Sequence, residues 1–499
     1  MKHGVKKVAY GDFQTPIELA QQCCSAAADQ IPSPSLIIEP TCGKGAFVVA
    51  AAEEFPYAEV QGYEINAAYL RAARTAVRKT FADHRSIAIK KQDFFAADWQ
   101  SIADQNHDSI LFLGNPPWVT NSQLGALGSG NLPKKSNVDR VRGIDAVTGR
   151  SNFDISESIL TTLLDVARPG RDTIAMLVKT ATARKVLANS WRRGSVFDHA
   201  SIRMIDAKTS FNVFVEACLL VLSPGEPKKT KRPMQQCKSS PTIESKPRKI
   251  AMGWHNDCLV ANARLAKKTQ ALCFEGSGDQ ELVWRSGIKH DVSAVVELSH
   301  IDGKIVRQDG GVIKVEPEVL FPLAKGADVA NNRRDCATRR MLVPQRSLSE
   351  PSARLKHSYP NAYKYLTKNR SQFAARKSTI YRDRDPFALF GVGPYTFQPW
   401  KIAICGMYKR LQFTLLGPVD GQPVVTDDTC YSLSFTKHSH AKLILAMLQT
   451  DTAQNFFEAR IFWDAKRPIT AKLLRQLDLR KLAKTLGHVQ KYDVFFRPN

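Results

Sequence analysis

Several things are missing from this 499-residue sequence, and each absence narrows the possibilities. No run of about 18 apolar residues occurs, so no membrane span is expected. The basic opening Met1-Lys-His-Gly-Val-Lys-Lys7 is not followed by the apolar core of a secretory signal, and the chain is read as cytoplasmic. Cysteine is sparse, ten in all, scattered in mostly apolar settings and never at Cys-x-x-Cys spacing. Neither a zinc site nor a disulfide framework is expected, and no other metal site is. His290 has no histidine or cysteine at metal spacing, which favours a structural or polyanion-contacting role. There is no convincing internal repeat. Acidic residues are also in deficit, 47 Asp and Glu against 71 Lys and Arg.

The resulting charge of +24 exceeds what solubility needs and favours a polyanionic partner. It is not evenly spread. Between Asn331 and Arg384 stand 14 Lys and Arg against three acids, interleaved with Tyr359, Tyr363, Tyr365, Phe373 and Tyr381. Cations for phosphates together with rings for stacking suit a nucleic-acid surface. The composition is otherwise globular, with 43% hydrophobic residues, and the length implies two domains.

Read in order, the first part alternates strand and helix. Thr15 and Pro16 form a helix start, with Thr15 as N-cap and Pro16 at the first helical position, ahead of a helix from Ile17 to Asp29. Ser35–Pro40 is a buried strand ending in Glu39, followed by Thr41-Cys42-Gly43-Lys44-Gly45 and a helix. Two glycines one residue apart between strand and helix allow a tight turn and close approach of a ligand. The dinucleotide pattern is incomplete and the phosphate-loop Lys-Ser/Thr is missing, so a nucleoside ligand without phosphates fits better. The strand 59–65 ends in Glu64 and Ile65. Glu64 stands 25 residues after Glu39, where nucleotide-binding sheets place an acid for ribose hydroxyls. A third strand from Ile87 ends in Asp93 and Phe94, a pairing suited to an adenine amino group and ring. Each acid alone is equally a cap or a solvated loop charge.

The fourth strand, Ile110–Gly114, stops at Asn115-Pro116-Pro117-Trp118. Proline cannot continue a parallel strand, so the chain leaves the sheet here. Asn-Pro also starts ordinary turns, but three acidic strand tips ahead of it favour a site. A glycine-bearing loop follows to about Gly149, with Lys134 and Lys135 as substrate contacts. Strand–helix alternation resumes from Asp154 to Leu222. Ser223–Lys249 has five prolines and eight Lys and Arg against two Glu, and is expected to be an exposed linker. From Ile250 a half of mixed short strands and loops begins, turning helical near Ala441. The expected class is α/β, a doubly wound sheet over 1–222, a linker over 223–249 and a mixed α+β domain over 250–499.

The set Phe13-Gln-Thr-Pro16, Glu39-Pro-Thr-Cys-Gly-Lys-Gly-Ala-Phe47, Gly62-Tyr-Glu-Ile65, Gln92-Asp-Phe94 and Asn115-Pro-Pro-Trp118 resembles the S-adenosylmethionine-dependent DNA adenine-N6 methyltransferases of restriction–modification and phage-defence systems. The resemblance covers about residues 10–222, and the later half is similar to their target-recognition domains. It implies a Rossmann-like methyltransferase sheet and S-adenosyl-L-methionine as cofactor. Thr15 and Pro16 would approach its methionine end. Glu39, with the backbone of Cys42, Gly43 and Gly45, would hold the amino acid part. Glu64 beside Ile65 would hold the ribose, and Asp93 with Phe94 the adenine. Asn115 and the Pro116 carbonyl, set by Pro117, would receive the target amino group. Trp118 would stack on the flipped base, with Phe211 as a second face and Phe214 its rival. Double-stranded DNA would be the partner, met by Lys134, Lys135, Arg333, Arg334, Arg339 and Arg340. The nearest acidic pair, Glu316 and Glu318, lacks a nuclease lysine, so cleavage would fall to a separate restriction endonuclease or defence subunit. An RNA-base or protein-glutamine methyltransferase, or a non-catalytic DNA-binding subunit, stays open at this point.

Overall fold

Four short strands, Leu36–Glu39 (β1), Glu59–Glu64 (β2), Ile87–Lys91 (β3) and Ile110–Gly114 (β4), run parallel within a ten-stranded sheet. The computed structural model describes residues 13–81, 86–105, 107–119, 154–226, 235–276, 282–333, 336 and 338–497. Its contacts divide the chain into two units, Met1–Arg264 and Leu265–Asn499. In the first, helices Ile17–Ala28 (α1), Ala46–Glu54 (α2), Ala67–Thr80 (α3), Trp99–Ala103 (α4), Ile155–Val166 (α5), Thr180–Arg192 (α6) and Ala207–Phe211 (α7) alternate with the strands. Thr173–Lys179 (β5), Val196–Ile205 (β6) and Ala217–Gly225 (β7) complete the core of the sheet. The order is β3-β2-β1-β4-β5-β7-β6, with β7 antiparallel to both neighbours. β1 lies between β2 and β4, so the chain reverses direction across the sheet there. That is where an open α/β sheet leaves a crevice at its carboxyl ends.

Local chemistry explains the element boundaries. Asn66 caps α3 by accepting from the Ala68 and Tyr69 N–H groups. Asp154 caps α5 through Ser156. Asp172 is buried and accepts from Ile110 N–H and the Arg168 guanidinium, which fixes the start of β4 against the start of β5. Thr15 does not behave as expected. Pro16 is the N-cap of α1, no side chain caps the helix, and the Thr15 hydroxyl is engaged elsewhere.

Part of the stretch expected to be a linker is built into this sheet. β7 runs on through Gly225, and Gln236–Ser240 (β8) adds in parallel to β6. Ala251–His255 (β9) and Cys258–Val260 (β10) extend the edge in antiparallel fashion. Proline and charge dominate the composition, but Cys237 and Ser240 of β8 are buried. The free edge of β6 supplies the ladder that such a segment needs. The first unit therefore reaches beyond residue 250 to Arg264.

The second unit holds a six-stranded sheet and a four-stranded sheet. The six-stranded sheet joins Glu297–Ile301 (β12), Lys304–Val306 (β13), Val312–Ile313 (β14), Leu320–Ala324 (β15), Arg339–Leu342 (β16) and Val425–Thr426 (β19). The other joins Arg285–Ser286 (β11), Trp400–Cys405 (β17), Thr414–Leu416 (β18) and Cys430–Phe435 (β20). Helices Pro360–Lys368 (α8) and Arg370–Ala374 (α9) sit between these strands in sequence, and helices recur from His438 onward. No helix among the described residues is long and apolar enough to cross a membrane.

Candidate active site

The carboxyl ends of β1, β2, β3 and β4 open on a cavity of about 350 Å³. Gly43, Glu64, Ile65, Asp93, Phe94, Asn115 and Pro117 line it, seven of the residues singled out from sequence. Thr15, Pro16, Glu39, Cys42, Gly45, Pro116 and Trp118 are not among its lining residues.

Glu64 ties two strand tips together. Its Oε1 accepts from Asn66 N–H at 2.7 Å and its Oε2 from Gly43 N–H at 2.8 Å. Both oxygens of this carboxylate are thus engaged by backbone N–H groups at the mouth of the cavity. Glu39 is only 3% exposed, and its Oε2 has no partner among the described residues. Burial holds its carboxyl well above the usual range and the nearby Glu64 adds to this, while the Val48 N–H opposes it. Gly114, at φ +155°, makes room for it: a Cβ there would lie 3.2 Å from Glu39 Cγ. Cys42 is buried against Gly62. Gly45 is the left-handed N-cap of α2 and packs on Ala73, where a Cβ would come within 3.0 Å.

Asp93 caps a short turn by accepting from Phe95 N–H at 3.0 Å. Phe94 packs on Trp99 with centroids 4.9 Å apart and is nearly buried, whereas Phe95 is 38% exposed and lines the same cavity. Either ring of the Phe-Phe doublet meets the pocket, and the sequence signal pointed only to the first. Gln14, Ile155 and Ile159 also line it and were not anticipated. Gln14 Oε1 accepts from Lys44 N–H at 3.0 Å, which holds the segment before α1 against the glycine turn. The isoleucines belong to a helix whose apolar spacing reads as ordinary core.

At the tip of β4, Asn115 Nδ2 donates to the Phe13 carbonyl at 3.1 Å and to Thr15 Oγ1 at 3.2 Å. Asn115 Oδ1 is buried and has no partner among the described residues. The Pro116 carbonyl likewise receives no hydrogen bond from them. Lys179, at the tip of β5, donates to the Trp118 carbonyl at 2.8 Å and to Asp154 at 2.7 Å, which anchors the far end of the turn. The arrangement leaves two neighbouring acceptors without donors.

Trp118 was expected to present a stacking face, but its ring is 4% exposed. Its Nε1–H donates to the Leu177 carbonyl, and the rings of Phe13 and Phe211 lie 5.6 and 5.2 Å from it. An indole with no base beside it buries its area against other rings. Phe211 thus does reach Trp118. Phe214, three residues on, is 83% exposed, with the Lys208 ammonium over its ring.

The basic residues of the second unit are redistributed. Arg339 makes a two-pronged pair with buried Asp328, and Arg340 is buried, bonded to Asp420 and to backbone carbonyls. β16 turns these two toward acids that charge counting along the chain does not see. Arg333 is exposed. Arg334, Lys134 and Lys135 lie outside the described residues. Lys364, Lys368, Arg370, Lys377, Arg382 and Arg384, on and after α8 and α9, are exposed and have no ion-pair partner among the described residues. His290 is structural: its Nδ1 accepts from Val292 N–H, so Nε2 carries the proton and donates to Glu297.

No family model matches the chain. It is 38% identical to the Type II methyltransferase M.NspV of Nostoc sp. (strain ATCC 29411 / PCC 7524) over 489 residues, 97% of this chain and 100% of that relative. It is also similar to the solved structure of the Type IIL restriction-modification enzyme MmeI in complex with DNA, at TM-score 0.52 and 12% identity, covering 99% of this chain and 70% of that one. A likeness at that identity concerns the fold alone.

Proposed function

The chain belongs to the Type II methyltransferases of restriction–modification systems, and from that premise we propose that it methylates the N6 amino group of an adenine turned out of double-stranded DNA. Its cofactor is S-adenosylmethionine, which supplies a methyl group on a positively charged sulfur. The pocket suits that donor. Glu39 keeps a buried carboxylate oxygen without a partner, and the ammonium of a methionine moiety is the kind of group that would satisfy it. Glu64 lines the cavity at the tip of β2, where ribose hydroxyls would lie, and Asp93 with Phe94 and Phe95 offers an acceptor and rings for an adenine. Thr15 and Pro16 stand at the other end, beside Asn115.

One observation carries the adenine-N6 reading: Asn115 presents a buried, unpartnered Oδ1 while both hydrogens of its Nδ2 are engaged. An exocyclic adenine amine is a weak nucleophile because its lone pair is delocalised into the ring. Two acceptors on its N–H groups favour a pyramidal nitrogen and stabilise the positive charge that grows as the methyl group transfers. Asn115 Oδ1 and the Pro116 carbonyl fill those two places. No strong base is needed before transfer; the proton leaves once the nitrogen is quaternised.

Turning a base out of a duplex costs a few kcal/mol. Trp118 offsets part of it by stacking, once Phe13 or Phe211 leaves the indole face; the base then replaces one aromatic contact by another. The exposed cations of Lys364–Arg384 would meet backbone phosphates. Any cutting partner, an endonuclease or other defence subunit, would be a separate chain.

Methyl transfer from labelled S-adenosylmethionine to duplex DNA, RNA and protein tests this directly. Wild type should label only DNA. Asn115→Ala should lose at least about 100-fold in rate, with cofactor affinity changed by no more than about 2-fold. Full activity in that variant would refute the assignment of Asn115.

A further inference from the structure

An asparagine amide can rotate by 180° with little change in shape, and only one of its two ends accepts a hydrogen bond. If Asn115 receives the target amine, something must keep Oδ1, not Nδ2, facing it. We infer that Thr15, together with the Phe13 carbonyl, fixes this orientation, so that Thr15 is a positioning residue for methyl transfer. The inference rests on the reading of Asn115 given above.

The geometry is one-sided. The Phe13 carbonyl can only accept, so the group 3.1 Å from it must be the Nδ2 end. Thr15 Oγ1, at 3.2 Å, takes the other hydrogen and holds the amide in the plane that the Phe13 carbonyl selects; because a hydroxyl can also donate, its part is to fix the amide's place, while the carbonyl sets which end faces inward. A rotated amide would set Oδ1 against a carbonyl oxygen and leave Nδ2 where the amine must dock. Nδ2 would then present donors to a donor. Thr15 is also free for the task. It directly precedes Pro16 and looks like a helix cap, yet it makes no capping bond to α1. Its hydroxyl reaches instead across 100 positions of sequence to Asn115.

The segment that carries Thr15 is held in place by other contacts. Gln14 accepts from Lys44 N–H, and the Phe13 ring packs on Trp118. Loss of the hydroxyl alone should therefore leave the backbone and the Phe13 carbonyl where they are. One of the two contacts that hold the amide in place would be gone while the pocket stayed intact. Thr15→Val removes the acceptor at nearly constant shape, and Thr15→Ser retains it.

The test uses the full chain, with duplex DNA that the wild-type protein methylates and both reactants saturating, and measures single-turnover methyl transfer. S-adenosylmethionine affinity is measured separately by calorimetry. Thr15→Val should slow transfer by about 10- to 100-fold, and Thr15→Ser should stay within about 3-fold of wild type, with both cofactor affinities within about 3-fold. Wild-type transfer by Thr15→Val alongside an inactive Asn115→Ala would overturn the inference and leave the role of Asn115 standing. A loss confined to cofactor affinity would also overturn it, because Thr15 would then be a cofactor contact. Equal slowing by Val and Ser would overturn it too, since the hydroxyl would not matter. Full activity of Asn115→Ala would remove the underlying reading itself.

Discussion

Unfolded, Glu39 ionises like any other glutamate; folded, it is buried beside Glu64 with one oxygen unpartnered. Its carboxyl is therefore raised in the folded state, which binds its proton more tightly than the unfolded chain does. The sign follows: stability falls as pH rises past the ordinary carboxylate value of about 4.3. Glu39→Gln should raise the melting temperature without cofactor by about 2–4 °C at pH 7, with the gain fading below pH about 4. The same variant should bind S-adenosylmethionine about 10-fold more weakly, so the cofactor should raise its melting temperature less than it raises that of wild type. Equal cofactor-induced shifts in the two proteins would detach Glu39 from the ligand. The acids were legible as a set, because carboxylates at successive strand tips have few other uses. Their surroundings were not: both oxygens of Glu64 bind backbone N–H groups, while Glu39 has the Val48 N–H and keeps Oε2 without a partner among the described residues, a difference that depends on which N–H groups fall within reach after folding.

At the scale of elements, the sheet from β1 to β7 was largely readable from spacing, since short strands such as β1, β4 and β5 are apolar and helices repeat between them. Three features were not readable. The one-turn geometry after β3 buries Phe94 and exposes Phe95. Thr15 has the chemistry of a cap but bonds to Asn115. The proline-rich stretch after β7 becomes strand because β6 offers it an edge, and no local propensity encodes that offer. This last point has a consequence. A fragment ending at Arg264 should stay soluble, because β8 covers the edge of β6. One ending at Gly225 should aggregate through that bare edge. Light scattering of the two fragments at equal concentration checks this, and matching behaviour would show that β8 does not protect the sheet.

For the whole molecule, the excess of positive charge matches exposed cations in the second unit, but a charge count does not tell which of them are paired. Arg339 and Arg340 are spent on Asp328 and Asp420. The exposed cations around α8 and α9 have no such partners among the described residues. Each phosphate contact contributes about 0.9 to the slope of log affinity against log salt for duplex DNA. Replacing Arg370, Lys377 and Arg382 with Gln should therefore flatten that slope by about 2 to 3. Arg339→Gln should instead lower thermal stability and leave the slope nearly unchanged. The opposite pattern would return the DNA surface to β16.

The most direct measurement is the identity of the modified base. Unmethylated duplex DNA treated with the protein and S-adenosylmethionine can be digested to nucleosides and analysed by mass spectrometry. N6-methyladenine should appear with wild type and be missing with Asn115→Ala. A methylated cytosine in place of N6-methyladenine, or no methylated nucleoside at all, would contradict the role assigned to Asn115 and the Pro116 carbonyl.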